Sequence, residues 1–229
     1  MPTNVFAGES EETLSFYLEE LVRYQPGVTL EEVKQAVTET AEALEESELE
    51  VAKESLTELL ANIKEDQTDS GDLFTPMSGS SGKKKLDPAV RKGDIFYTPS
   101  ATLNIQHGHV GIYYTTERIV ESVPKEGVRK IKFNKRDVEK NAVMQRVKTT
   151  KKKRNAAANW ANSRIGDSYS YNFATNRETS KKGAKNCSKL VWSAYKLKAG
   201  IDIDKNGGKG VYPKDIRDSS HTVTYKTIK

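Results

Sequence analysis

The chain has 229 residues, 35% hydrophobic and 30% charged, with a net charge of +5, which suits one medium domain and a smaller unit. No run approaches the roughly 18 to 20 apolar residues needed to cross a bilayer, so a spanning helix is excluded. A single cysteine excludes an internal disulfide.

The charge is divided. Residues 1–65 hold 16 acidic against 4 basic residues, and the remainder 33 basic against 16 acidic. Opposite charge favours docking of the two parts within one chain, in a field screened by salt. The basic part has two other readings, a solvated lysine surface or a face for an anionic partner such as a wall polymer or a membrane surface.

The first 65 residues predict helices. Glu11 to Arg23 carries Leu14, Tyr17, Leu18 and Leu21 at helical spacing, and Pro26-Gly27 ends it. Thr29 and Glu32 form a T-x-x-E capping box that opens a second helix with Val33, Ala36, Val37 and Leu44 on one face. A third helix near Glu48 to Lys64 presents Val51, Leu56, Leu59, Leu60 and Ile63. Three narrow apolar stripes predict a small antiparallel bundle. Residues 66–87, rich in Gly, Ser and Lys, read as a linker.

At Val90 the texture changes. Strands are expected from Arg91 to Thr98, His109 to Tyr114, Arg118 to Val123, Gly127 to Phe133 and Ala142 to Val147. A helix over 152–164 follows, then Gly- and Tyr-containing loops, and a helix from Cys187 to Ala199 that Gly200 stops. A Tyr-Pro loop and a short strand close the chain. Strands followed by helices, without βαβ alternation, predict an α+β domain over 88–229 with an antiparallel sheet.

Three residues could carry chemistry. Cys187 stands at the start of its helix, on the side shared with Leu190, Val191 and Ala194. Unpaired backbone N–H groups there would lower a thiol pKa and could hold an oxyanion. A free cysteine also serves as a small buried hydrophobe. His109 shares a strand face with Gly111 and Tyr113, and the glycine would leave room beside the imidazole for a partner or substrate. A three-residue hairpin turn would bring Glu121 opposite Gly111, diagonal to His109, while a two-residue turn would shift it away. The first register lets a carboxylate fix the imidazole tautomer; otherwise Glu121 is a surface acid.

Other signals have plainer readings. His107 and His109 form an H-x-H pair that would suit zinc, with Glu121, Cys187 or His221 as further ligands, but no second metal motif accompanies it. The K-T-T-K-K-K-R run at 148–154 lacks the interleaved aromatics of a single-strand binder, so no nucleic acid is expected. D-I-D-K-N-G-G-K-G at 202–210 echoes a calcium loop whose twelfth position is Pro213, so it reads as a turn.

The blocks G-D-I-F-Y, G-H-V-G-I-Y, I-V-E-S, I-G-D-S-Y-S-Y-N-F, N-C-S-K-L-V-W-S-A-Y and V-Y-P-K-D-I occur in that order over roughly 90–220. Together they resemble the YiiX/YycO type of permuted papain-like enzyme of the NlpC-like superfamily. The resemblance implies a circularly permuted papain-like fold, here preceded by the helical bundle. It implies Cys187 as nucleophile, His109 as general base and acid, and Glu121 as third member, with no cofactor. Histidine preceding cysteine in the chain matches the permuted branch, since catalysis depends on geometry and not on order.

The resemblance further implies hydrolysis of an amide, in cell-wall peptide or through acyl transfer involving an acyl-lipid, and an extracellular or cell-envelope location, with the cytoplasm as alternative. Two other classes stand beside this cysteine hydrolase: a non-catalytic wall- or membrane-binding module, and a metal-dependent hydrolase. The acidic helices at 1–65 would dock on the basic domain and cover part of its cleft.

Overall fold

The computed structural model describes residues 13–69, 83–99, 101–102, 105–106 and 108–229. Most of the segment read as a linker, residues 70–82, lies outside them, as does His107. At the linker's borders, helix α3 continues to Asp69 and a short strand forms at Lys84–Lys85.

Helices α1 (Leu14–Arg23), α2 (Leu30–Leu44) and α3 (Glu48–Asp69) begin the chain. The Thr13 side chain caps α1 by accepting from the Phe16 N–H. At α2 the capping box forms in both directions: Thr29 Oγ1 accepts from the Glu32 N–H at 3.2 Å, and Glu32 Oε2 accepts from the Thr29 N–H at 2.8 Å. Between α1 and α2 the chain reverses at Gly27, whose φ of +93° suits only glycine.

The strands are β1 (Lys84–Lys85), β2 (Ile95–Thr98), β3 (Ala101–Thr102), β4 (Ile105–Gln106), β5 (His109–Thr115), β6 (Arg118–Val123), β7 (Gly127–Lys132), β8 (Asp137–Val138), β9 (Val143–Val147) and β10 (Thr222–Thr227). Six of them form one antiparallel sheet in the order β10-β9-β2-β5-β6-β7. Alternation along the strands makes two apolar layers. Ile95, Val110, Ile112 and Val120 belong to a large cluster with α4 (Lys151–Asn162) and α5 (Cys187–Ala199). Phe96, Tyr113, Ile119 and Met144 form a smaller one with Leu86, Val138 and Ile228. The fold is α+β, with the helices packed on one face of an antiparallel sheet.

Two elements depart from the sequence reading. The Tyr-Pro loop contains a short helix, α6 (Pro213–Asp218), with its proline at the first turn, where a missing N–H costs nothing. Helix α5, read as one-sided, is buried on every side from Cys187 to Tyr195. Even Lys189 is 1% exposed, and its ammonium donates to the carbonyls of Asn176, Arg177 and Thr179. The long loop before α5 therefore wraps the face that the polar residues suggested was open.

The N-terminal helices join the larger cluster. Leu18, Leu21, Val33, Val37 and Leu59 pack in the same apolar body as Phe173, Trp192 and Tyr212. Gln25, 2% exposed, accepts hydrogen bonds from the Phe173 and Ala174 N–H groups at 2.8 and 3.0 Å and donates to the Leu21 carbonyl. Lys209 pairs with Glu46 at 2.5 Å and with Glu54 at 3.2 Å.

Candidate active site

The site forms where β5 and β6 part. The hairpin joining them turns through Thr116 and Glu117, with Thr115 opposite Arg118. A two-residue turn alone would set Tyr114 opposite Ile119. Instead a bulge at Tyr114 absorbs one residue, so Tyr113 faces Ile119 and Ile112 faces Val120. That is the register in which Glu121 falls opposite Gly111 and on the side of His109. The ladder between the two strands ends at the Ile112–Val120 pair.

Across this opening Glu121 Oε2 lies 2.8 Å from His109 Nε2. The carboxylate is fully buried and the histidine 7% exposed. Arg129, opposite Glu121 on β7, donates from Nε at 3.0 Å and Nη2 at 2.8 Å to the other carboxylate oxygen. Arg136 Nη1 lies 3.4 Å from Oε2. Burial alone would raise the Glu121 pKa, but His109 and the two arginines outweigh it and hold the carboxyl at about 2. An ionised Glu121 makes His109 Nε2 the N–H donor, which leaves Nδ1 as the free acceptor.

Cys187 is the first residue of α5. Asn186 caps the helix by accepting from the Lys189 N–H at 2.8 Å, and its own amide donates to the Asn172 carbonyl at 3.0 Å. On one side Ser122 of β6 donates to the Lys185 carbonyl at 2.6 Å. On the other, the N–H of Val110, the residue after His109, bonds toward the Cys187 sulfur. The helix start is thus wedged between the parted strands beside the histidine. Burial pushes the thiol up to about 11, against the Val110 and Ser188 N–H groups and the Arg136 charge, which favour the thiolate. Burial also lowers the His109 pKa, with Arg136 adding to the effect and the Glu121 hydrogen bond opposing it. Both shifts favour the uncharged forms, a thiol and a neutral imidazole.

The structure brings Cys187, His109 and Glu121 to one place. The space beside Gly111 is filled by the Phe96 ring, which a Cβ there would meet at 2.5 Å. Phe96 also lies 5.9 Å from the His109 ring, so the glycine makes room for a packing residue and not for a substrate. His107 lies outside the described residues. Among those described, no group of three His, Cys, Asp or Glu side chains could hold a metal. The carboxylates of the 202–210 turn meet a guanidinium, with Arg177 donating to Asp202 at 2.9 Å and Asp204 at 2.5 Å.

The sequence reading missed Arg129, Arg136, Asn186 and Tyr169, whose hydroxyl pKa is raised by burial and by the neighbouring Cys187. Arg129 had a readable signal. A three-residue turn through Pro124, Lys125 and Glu126 sets Val123 opposite Gly127, and counting back puts Arg129 opposite Glu121. Arg136 reaches the site from beyond the end of β7, which no periodicity announces.

Comparison with known proteins places the chain in a family. Residues 71–220 match the family model described as permuted papain-like amidase enzyme, YaeF/YiiX, C92 family. The chain is 49% identical over 213 residues to the uncharacterized protein YycO of Bacillus subtilis (strain 168), covering 93% of this chain and 86% of that one. No solved structure matches.

Proposed function

Because the chain belongs to the permuted papain-like amidase family YaeF/YiiX, C92, we propose that it is a cysteine amidase or peptidase acting on cell-wall peptide through Cys187, His109 and Glu121. The observation that carries the reading is the 2.8 Å bond from His109 Nε2 to a buried carboxylate, with the next residue's N–H turned to the Cys187 sulfur.

The reaction follows from those positions. Cys187 Sγ attacks the amide carbonyl carbon while His109 Nδ1 takes the thiol proton. With thiol and imidazole both neutral at rest, proton transfer accompanies attack. Glu121 stabilises the imidazolium and keeps its ring oriented. N–H groups at the α5 start face the developing oxyanion. Collapse expels the amine, which receives the proton from His109 and leaves a thioester on Cys187. Water, deprotonated by His109, then hydrolyses the thioester.

Digestion of purified cell wall by the wild-type protein and by Cys187→Ala, with new ends identified by mass spectrometry, tests the reading. New peptide ends made only by the wild type are expected. Equal products from both proteins would remove Cys187 from the reaction, and no products would remove cell-wall peptide as the substrate.

A further inference from the structure

A cavity of about 290 Å³ opens on the His109 flank of the site. Its walls include Lys83, Thr98, Arg129, Lys135, Arg136 and Glu139. Thr98 pairs with His109 across β2 and β5, and both arginines touch Glu121. The cavity therefore shares a wall with the proposed catalytic groups.

Its charge is unbalanced. Of the two acids on its walls, Asp137 is paired with Lys85 at 2.5 Å, which leaves Glu139 facing the cations. Lys83 and Lys135 have no ion pair among the described residues, and both are exposed. The Arg136 Nε is buried and has no hydrogen-bond partner. A buried donor left unmade is unfavourable, and more so on a charged group. The Arg136 side chain lines the cavity, and a guanidinium is the planar cation that pairs with a carboxylate.

We propose that this cavity is an anion subsite that takes a carboxylate of an acidic peptide substrate, beside the amide that Cys187 attacks. Lys83 and Lys135 attract the group, and the Arg136 guanidinium on the cavity wall receives it. The subsite rests on Cys187 being the reactive thiol. It adds to that reading a selection for substrates with negative charge next to the scissile bond.

The test uses N-iodoacetylglycine and its carboxamide, which carry the same reactive carbon and differ by one remote charge. Rates of Cys187 alkylation are followed by intact mass at low ionic strength. The carboxylate reagent is expected to react about tenfold faster, as a focused cationic cleft would produce. The Lys83→Ala/Lys135→Ala variant should bring the ratio close to one. Lys151→Ala/Lys152→Ala removes the same charge from exposed positions at the start of α4 and should leave the ratio as in the wild type. Equal rates in the wild type, or equal loss in both double variants, would overturn the subsite and leave the cysteine reading intact. No alkylation of Cys187 by either reagent would overturn both.

Discussion

Glu121 and Arg129 stand opposite one another on adjacent antiparallel strands, and the guanidinium gives two hydrogen bonds, 3.0 and 2.8 Å, to one carboxylate oxygen. The other oxygen is left for His109. One carboxylate is therefore shared between a structural cation and the imidazole, and the cation helps to keep it ionised.

Replacing Arg129 with Met should cost about 2 kcal/mol, less than the loss of a fully buried pair because Arg136 and His109 remain. Glu121 is held at about 2, so its contribution is complete above the usual carboxylate value and fades as pH falls toward 2. In the variant the folded value rises, so the same fading is smaller and is complete at a higher pH. Urea midpoints between pH 3 and 7 read both effects, and superimposable curves would refute them.

His109 adds a second loss in the same direction, beginning at higher pH. Burial lowers its pKa in the folded protein, so as pH drops below about 6.5 the unfolded chain binds the proton first. Stability should decline from that point until the folded pKa is reached. His109→Gln should flatten this limb between pH 7 and 5 in chemical denaturation; an unchanged slope would assign it to other groups.

The thiol is expected to alkylate slowly at neutral pH. With burial holding Cys187 at about 11, its reaction with iodoacetamide should keep accelerating through pH 9, where an ordinary thiol has levelled off. A plateau by pH 8 would mean a preformed thiolate and a different first step.

How far the sequence carried depends on the range of the forces involved. The capping box at Thr29, the glycine stop at Gly200 and the β5 to β7 strands are local, and local spacing exposed them. Cys187 and His109 were legible as candidates because each sits at the end of a periodic element. Their meeting was not, since it depends on β5 and β6 parting beyond Ile112. Nor was the enclosure of α5, where Lys189, off the apolar side of the helix, is bound by three loop carbonyls. Polarity marks a surface only when no polar loop covers it.

Gln25 should be among the most sensitive residues in the N-terminal helices. Gln25→Ala leaves the Phe173 and Ala174 N–H groups without their acceptor, a loss of about 2–4 kcal/mol. Thermal unfolding measures it. A change below about 0.5 kcal/mol, the scale of surface substitutions, would show that the two amides find another partner.

Gly111→Ala should cost about 1–3 kcal/mol by forcing the Phe96 ring aside. Combining it with Phe96→Leu should recover part of that loss. A double-mutant cycle in urea reads the coupling, and strict additivity would place the strain elsewhere.

The Tyr114 bulge sets which changes in chain length the hairpin can survive. Removing Tyr114 would leave a regular two-residue hairpin in which Ile112 still faces Val120, so a one-residue deletion there is silent for the carboxylate. Removing Thr116 instead would have to be absorbed by undoing the bulge or by turning β6 over. Two neighbouring deletions of equal size thus reach one register by different routes, the second only by spending the bulge to refill the turn, and a natural insertion at this tip can persist only where a second irregularity restores the count.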